Sequence, residues 1–166
     1  MKESTFITWK DTYSVGIPQI DEQHQELVYL TANLYTACMQ GTESGRLYFK
    51  QAIHKIVQYV SFHFSAEEKL MERIEFPEFA EHKKQHESFV KKVLEEVKKF
   101  EGGKAIVPPI FVRFLRDWIL THIAEEDQKY GDYVRYFKKE SVAAEVFISS
   151  ESAQAGGTGS SFTGSS

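Results

Sequence analysis

Apolar residues recur every three or four positions along most of this chain, the spacing that lines up one face of an α-helix. Four such stripes can be read. The first runs Ile20, Leu27, Leu30, Leu34, Cys38, with Asp21 suited to the N-cap of its helix and Gly41 to its end. The second runs Phe49, Ile53, Val57, Val60, Phe64, Met71, in a helix expected over about residues 45–74. Pro77 suits the first turn of a third helix, which carries Phe79, Phe89, Val93, Val97 and Phe100 and stops at Gly102 and Gly103. Pro108 and Pro109 open a fourth, with Phe111, Leu115, Trp118, Ile119 and Ile123. No strand-like alternation competes with these stripes. Short connections between long helices make neighbours antiparallel. The pattern therefore predicts an all-α fold, an up-down antiparallel four-helix bundle.

Both ends depart from the pattern. Residues 1–19 hold Phe6, Trp9, Tyr13, Gly16 and Pro18 without helical periodicity, and read as an ordered arm. The last stretch, SSESAQAGGTGSSFTGSS, is rich in Ser and Gly with a single aromatic. It has too little apolar surface to offset the entropy of ordering it. It reads as a flexible tail, as a linker to a further module, or as a cloning remnant. The expected division is a bundle over 1–138 and a Ser/Gly-rich tail over 139–166.

Composition narrows the classes. A chain of 166 residues with 42% hydrophobic and 27% charged residues is that of one ordinary soluble domain. A net charge of −4 lacks the basic footprint of a nucleic-acid binder. No apolar run approaches the roughly 20 residues that span a bilayer. The start, MKESTFITWK, has no apolar segment of the secretory kind. Cys38, the only cysteine, has no intramolecular partner, so the expected location is the cytoplasm.

The chemistry lies where the stripes are interrupted. His24 falls in the first. His63 and Glu67 continue the second, at three and four residues from Val60 and Phe64. His82 and His86 sit between Phe79 and Phe89. His122 follows Trp118 by four residues and precedes Asp127 by five. A single histidine on an apolar face is usually a core residue bonded to a carbonyl. Five of them with two carboxylates are costly to bury unless each finds a partner. A shared metal supplies all of them at once. Imidazoles mixed with carboxylates suit a first-row transition metal such as iron. Seven ligands exceed one tetrahedral zinc site, but match two six-coordinate ions sharing carboxylates. Residues four apart lie about 6 Å apart along a helix and point nearly the same way. Up-down connectivity brings all four clusters to one end of the bundle. The five-residue step from His122 to Asp127 turns about 140° in an ideal helix. Either the helix widens locally into a π-turn, or Asp127 reaches in from the flank. His54 has no carboxylate at ligand spacing and is assigned to the surface or boundary.

With these residues in hand, the sequence resembles the hemerythrins, and among them the bacteriohemerythrins. The likeness covers about residues 6–130, in WKDTYSVGIPQIDEQH, HFSAEEKLM, HKKQH and HIAEED. It implies two iron ions per chain in a non-haem di-iron centre, bridged by oxo or hydroxo, that binds O2 reversibly for storage, delivery or sensing. By that resemblance His82, His86 and His122 hold one iron, His24 and His63 hold the other, and Glu67 and Asp127 bridge them. It also implies O2 held as hydroperoxide on the two-histidine iron, which has an open position. Small anions such as azide, and NO, are expected at the same place. Two ferrous ions with two carboxylates and a hydroxide carry the same net charge as two ferric ions with two carboxylates, an oxo bridge and a hydroperoxide. A low-dielectric interior then sees no change in charge, which favours reversibility. Leu27, Trp118, Ile119 and Ile123 are the expected apolar wall of an O2 pocket. Gln23, Glu126 or backbone carbonyls are candidates to orient the ligand histidines.

A di-iron redox enzyme (an oxidase, a peroxidase or an NO-handling protein) and a sensor domain of a signalling protein are the competing readings. Di-iron oxygenases rely on four carboxylates with Glu-x-x-His pairs. Five imidazoles to two carboxylates favour ferrous/ferric cycling over oxygen activation. A binding protein without catalytic residues is expected.

Overall fold

The structure, a computed structural model, describes residues 6–39, 43–102 and 108–137. Helix α1 spans Pro18–Met39, α2 Glu43–Arg73, α3 Phe79–Glu101 and α4 Pro108–Thr121. A π-turn, His122–Glu126, follows α4, and residues 127–132 return to α-helix. Among the described residues there is no strand. Helix α1 packs on α2 and α4, and α2 on α3. This is the four-helix bundle that the stripes predict. The chain divides into units 1–132 and 133–166, and of the second only the helical residues 133–137 are described. The tail expected over 139–166 and the glycines at 41 and 103 lie outside the described residues.

The stripes form the core. Leu34, Ile53, Ile56, Val112, Leu115 and Phe89 are almost wholly buried, along with Leu27, Phe64, Val93 and Ile119. Leu30, Cys38, Val57 and Phe100 lie at its margin and are only partly buried. Ile56 and Val112 extend the faces beyond the residues read from sequence. Among the described residues, no helix is long and apolar enough to cross a membrane.

Two boundaries differ from expectation. Helix α1 begins at Pro18, whose fixed φ is preorganised for a first helical turn, so the arm is shorter than 1–19. Asp21 therefore lies inside the first turn and is not the N-cap. Its carboxylate turns back to the arm, accepting from Ser14 Oγ at 2.7 Å and from the Val15 N–H at 2.8 Å. Pro77 stands in the turn before α3, which starts at Phe79 after the N-cap Glu78. That turn is closed by the Phe76 N–H on Met71 O at 2.9 Å and the Phe79 N–H on Phe76 O at 3.1 Å. At the other end of α3 the Gly102 N–H closes on Lys98 O at 3.0 Å, where the stop was expected.

Of the arm, residues 6–17 are described, and among them lies one 3-10 turn, Asp11–Tyr13. Val15 is fully buried, and Gly16 takes the left-handed φ of 76° that follows it. Val15 rests on Gly131, where an added Cβ would lie 2.7 Å from the Val15 carbonyl oxygen. Gln128 ties the same region down by donating to Tyr13 O at 3.2 Å.

Candidate metal centre

The bundle brings all seven expected ligands together. His24, His63, Glu67, His82, His86, His122 and Asp127 are each at most 4% exposed. Their donor atoms fall into two groups. Glu67, His82, His86 and His122 form one, and His24, His63, Glu67 and Asp127 the other, with atoms within 4.8 Å of one another in each. His54 is left out: its side chain is 50% exposed and pairs with Glu101 at 3.1 Å.

In the first group three Nε2 atoms form a triangle, with edges of 3.1 Å (His82 to His86), 3.0 Å (His86 to His122) and 3.2 Å (His122 to His82). Three nitrogens bound at about 2.1 Å around one ion, at right angles, would lie about 3 Å apart. The outer nitrogen of His86 faces a carboxylate oxygen, Glu68 Oε1, at 3.2 Å, so it carries the proton and leaves the Nε2 lone pair free. His63 is set the same way, with its Nδ1 donating to Gln23 Oε1 at 3.0 Å. At His86 the triangle thus presents a lone pair to the centre, which a cation can satisfy.

The two carboxylates span the groups. Asp127 Oδ2 lies 3.2 Å from His24 Nε2, while its Oδ1 lies 3.2 Å from His122 and 3.4 Å from His82. Glu67 Oε1 lies 3.3 Å from His24, and its Oε2 lies 3.3 Å from His86 and 3.5 Å from His63. Close as they are, Glu67 Oε2 and both Asp127 oxygens are out of line for hydrogen bonding. Together with His24 Nδ1 they are buried without a hydrogen-bond partner. Orphaned carboxylate oxygens of this kind are rare in interiors, and these three lie among the histidine nitrogens. The residues present fit a pair of bridged transition-metal ions.

For three of the five rings, electrostatics point the same way. Burial lowers His63 to about 4, His82 to about 4 and His122 to about 2, so these rings are neutral, the form that binds metal. Burial also opposes charge on His24, but Asp127 and Glu67 outweigh it and raise that ring to about 9. Burial pushes Asp127 up to about 7, with the charge of Glu67 adding to it. Burial acts upward on Glu67 too, yet His63, His24 and His86 hold its carboxyl well below the usual range.

Local structure explains how Asp127 reaches in. The Asp127 N–H bonds to His122 O, a step of five residues, which widens the turn and returns Asp127 to the face of His122. Of the two routes left open by the sequence, this is the π-turn. Gln128 Nε2 donates to Ile123 O inside it at 3.3 Å.

Several contributors escaped the sequence reading. Tyr130 is fully buried, and its hydroxyl donates to Glu67 Oε1 at 2.6 Å. Burial and the nearby carboxylates raise Tyr130 well above its ordinary range, so it remains a donor. Its signal was its place three residues after Asp127, on the same face. Glu68 had only adjacency to Glu67 to mark it. Of the two side chains suggested as orienters, Gln23 does hold His63. Glu126 does not hold a histidine: Gln85 donates to it at 2.9 Å and Lys129 at 2.9 Å, both from the bundle's outer side. The rings are also clamped by stacking. Phe64 lies flat on His86 with centroids 3.6 Å apart, and Trp118 lies on His122 at 4.3 Å.

A small recess adjoins His63, His122 and Asp127. Leu27, Trp118, Ile119 and Ile123, the four expected pocket residues, line it together with Val60 and Phe64.

The family model described as the hemerythrin HHE cation binding domain matches residues 15–134. The chain belongs to the hemerythrin family. It is similar to the bacteriohemerythrin of Stenotrophomonas maltophilia (strain R551-3), with 34% identity over 129 residues, 78% of this chain and 82% of that one. The bacteriohemerythrin of Pseudomonas aeruginosa (strain LESB58) is 33% identical over 136 residues, 82% of this chain and 86% of the relative. A crystal structure of wild-type hemerythrin matches with a TM-score of 0.71 at 29% identity, covering 76% of this chain and 95% of the other. In this hemerythrin-family chain the family match spans the arm from Val15 to the helix that carries Asp127 and Tyr130.

Proposed function

We propose that this chain binds O2 reversibly at a non-haem di-iron centre, as a storage, delivery or sensing protein and not as an enzyme. The observation that carries the reading is the donor set, five buried imidazoles to two buried carboxylates, divided three and two, with Glu67 common to both groups and Asp127 reaching across to His82 and His122. His82, His86 and His122 would hold one iron and His24 and His63 the other, with Glu67 and Asp127 shared. Held there, two irons would supply two electrons to O2 and recover them on release. The side with two imidazoles has fewer protein donors, so O2 and small anions such as azide, or NO, belong there, next to the recess on His63. Leu27, Ile119 and Ile123 exclude water from that recess, and Trp118 fixes the His122 ring from its flank. Tyr130 steadies Glu67 by its hydroxyl proton, and Gln23 fixes the His63 ring.

The test is an iron count with anaerobic absorption spectra before and after O2. Two irons per chain and a spectrum that returns to its starting form when O2 is removed are expected. Steady O2 consumption would replace the binding role by an enzymatic one. One metal per chain, or mainly zinc, would overturn the di-iron reading. Azide bound beside His82, His86 and His122 in a crystal of the oxidised protein would overturn the choice of side.

A further inference from the structure

A second recess, distinct from the one at Leu27 and Ile119, reaches the centre from between α2 and α3. Glu68 and His86 line it, with Phe64, Ser65, Val90 and Lys91. On its wall the His86 Nδ1–H donates to Glu68 Oε1 at 3.2 Å, and Glu68 Oε2 meets Lys83 Nζ, also at 3.2 Å. Glu68 is 22% exposed and Lys83 46% exposed, so a path of charge runs from solvent to the ring nitrogen. Phe64 lies parallel to the ring within 1°, which stops it from tipping away from Glu68. His63, by contrast, has a neutral amide at its outer nitrogen.

That difference matters chemically. A carboxylate on the outer N–H draws on its proton and makes the inner nitrogen a more basic ligand. A more basic ligand favours the ferric over the ferrous ion. Lys83 pulls the other way, because it shares the charge of Glu68 and weakens its hold on His86. The geometry points to the Lys83–Glu68 pair as the device that sets the donor strength of His86, and thereby how readily the centre is oxidised. Glu68 is a positioning residue in this scheme and touches no reacting atom. The inference rests on the di-iron reading above.

The experiment is a spectroelectrochemical titration of the iron-loaded protein, with iron content and melting temperature measured alongside. Glu68→Gln keeps the shape and an acceptor but loses the charge. It should be easier to reduce, with the ferrous-to-ferric ratio at a fixed potential raised about tenfold, equivalent to about 59 mV for one electron. Lys83→Gln, at a side chain that touches no ligand, should shift the potential in the opposite direction. The double variant should follow Glu68→Gln, because Lys83 acts only through Glu68. A pair that merely joined α2 to α3 would lower the melting temperature of both variants and leave the potential unchanged. That result, or a shift of the same sign in both, would overturn the inference. Should Glu68→Gln fail to load iron, Lys83→Gln alone decides by the sign of its shift. Wild-type protein without two irons would overturn the di-iron reading and this inference together. Two irons in the wild type and an unmoved potential in Glu68→Gln would overturn this inference alone.

Discussion

Three histidine nitrogens and the Tyr130 hydroxyl converge on the two oxygens of Glu67. Removing it leaves those groups buried and unsatisfied, at about 1–3 kcal/mol for each neutral one. Glu67→Ala and Asp127→Ala should both lose most of their iron, whereas His54→Ala, at a half-exposed ring, should keep two irons per chain. Elemental analysis checks this, and equal loss in all three would show that His54 had been misplaced. Ile119 acts through shape. It is 2% exposed and lines the recess, and truncating a core residue of this kind costs about 2–5 kcal/mol. Ile119→Ala should admit water and oxidise faster to the ferric state with iron content unchanged, as followed by the decay of the oxygenated spectrum. The five clustered histidines and Glu67 were legible because each breaks an apolar stripe with a costly polar group, whereas Asp127 was marked only by its spacing from His122. Tyr130 was not, since a buried aromatic at helical spacing looks like ordinary packing. Glu68 was one acid among many until α3 placed His86 opposite it.

At the scale of elements, the stripes gave the helices and missed how their ends are made. Asp21 and Pro77 are both good starting residues, and each was displaced by a neighbour. Pro18 starts α1 three residues earlier, and the turn around Phe76 uses Pro77 before α3 begins. Local preference does not weigh such competitors, because the choice depends on where the arm and the turn must go. The arm's own seat was invisible too: it depends on the absence of a Cβ at Gly131, which the sequence offers as one glycine among ten. Gly131→Ala would place a methyl group 2.7 Å from Val15 O, against backbone that cannot swing aside like a side chain. The expected cost is about 1–3 kcal/mol, read by denaturant titration. The helical signal should stay near that of the wild type, because the four main helices keep their contacts.

For the molecule as a whole, the clustered side chains make the stability of the metal-free chain depend on pH. Folding keeps His63, His82 and His122 neutral down to about 4, about 4 and about 2, whereas the unfolded chain protonates them near their ordinary value of 6.5. Below that value the unfolded state gains protons that the folded state refuses, so stability falls as the pH drops from 6.5 toward 4. Asp127 and His24 have the opposite sign. The folded chain holds their protons up to about 7 and about 9, and that contribution is lost as the pH rises through these values. The iron-free protein should therefore melt highest at about pH 6–7, in a series of thermal scans; a melting temperature still rising at pH 9 would contradict the balance. The π-turn has a consequence of another kind, for changes in chain length. A one-residue deletion in a regular helix rotates everything after it by about 100°. Losing Lys84, between His82 and His86, should abolish iron binding for that reason. Within His122–Glu126 the extra residue is already taken up by the wide turn. Losing the exposed Ala124 should let the helix close into an ordinary four-residue step, with Asp127, Tyr130 and Gly131 still facing inward. Such a variant is expected to fold and still take up iron, which would make this turn a place where an insertion entered the bundle without disturbing what lies beyond it.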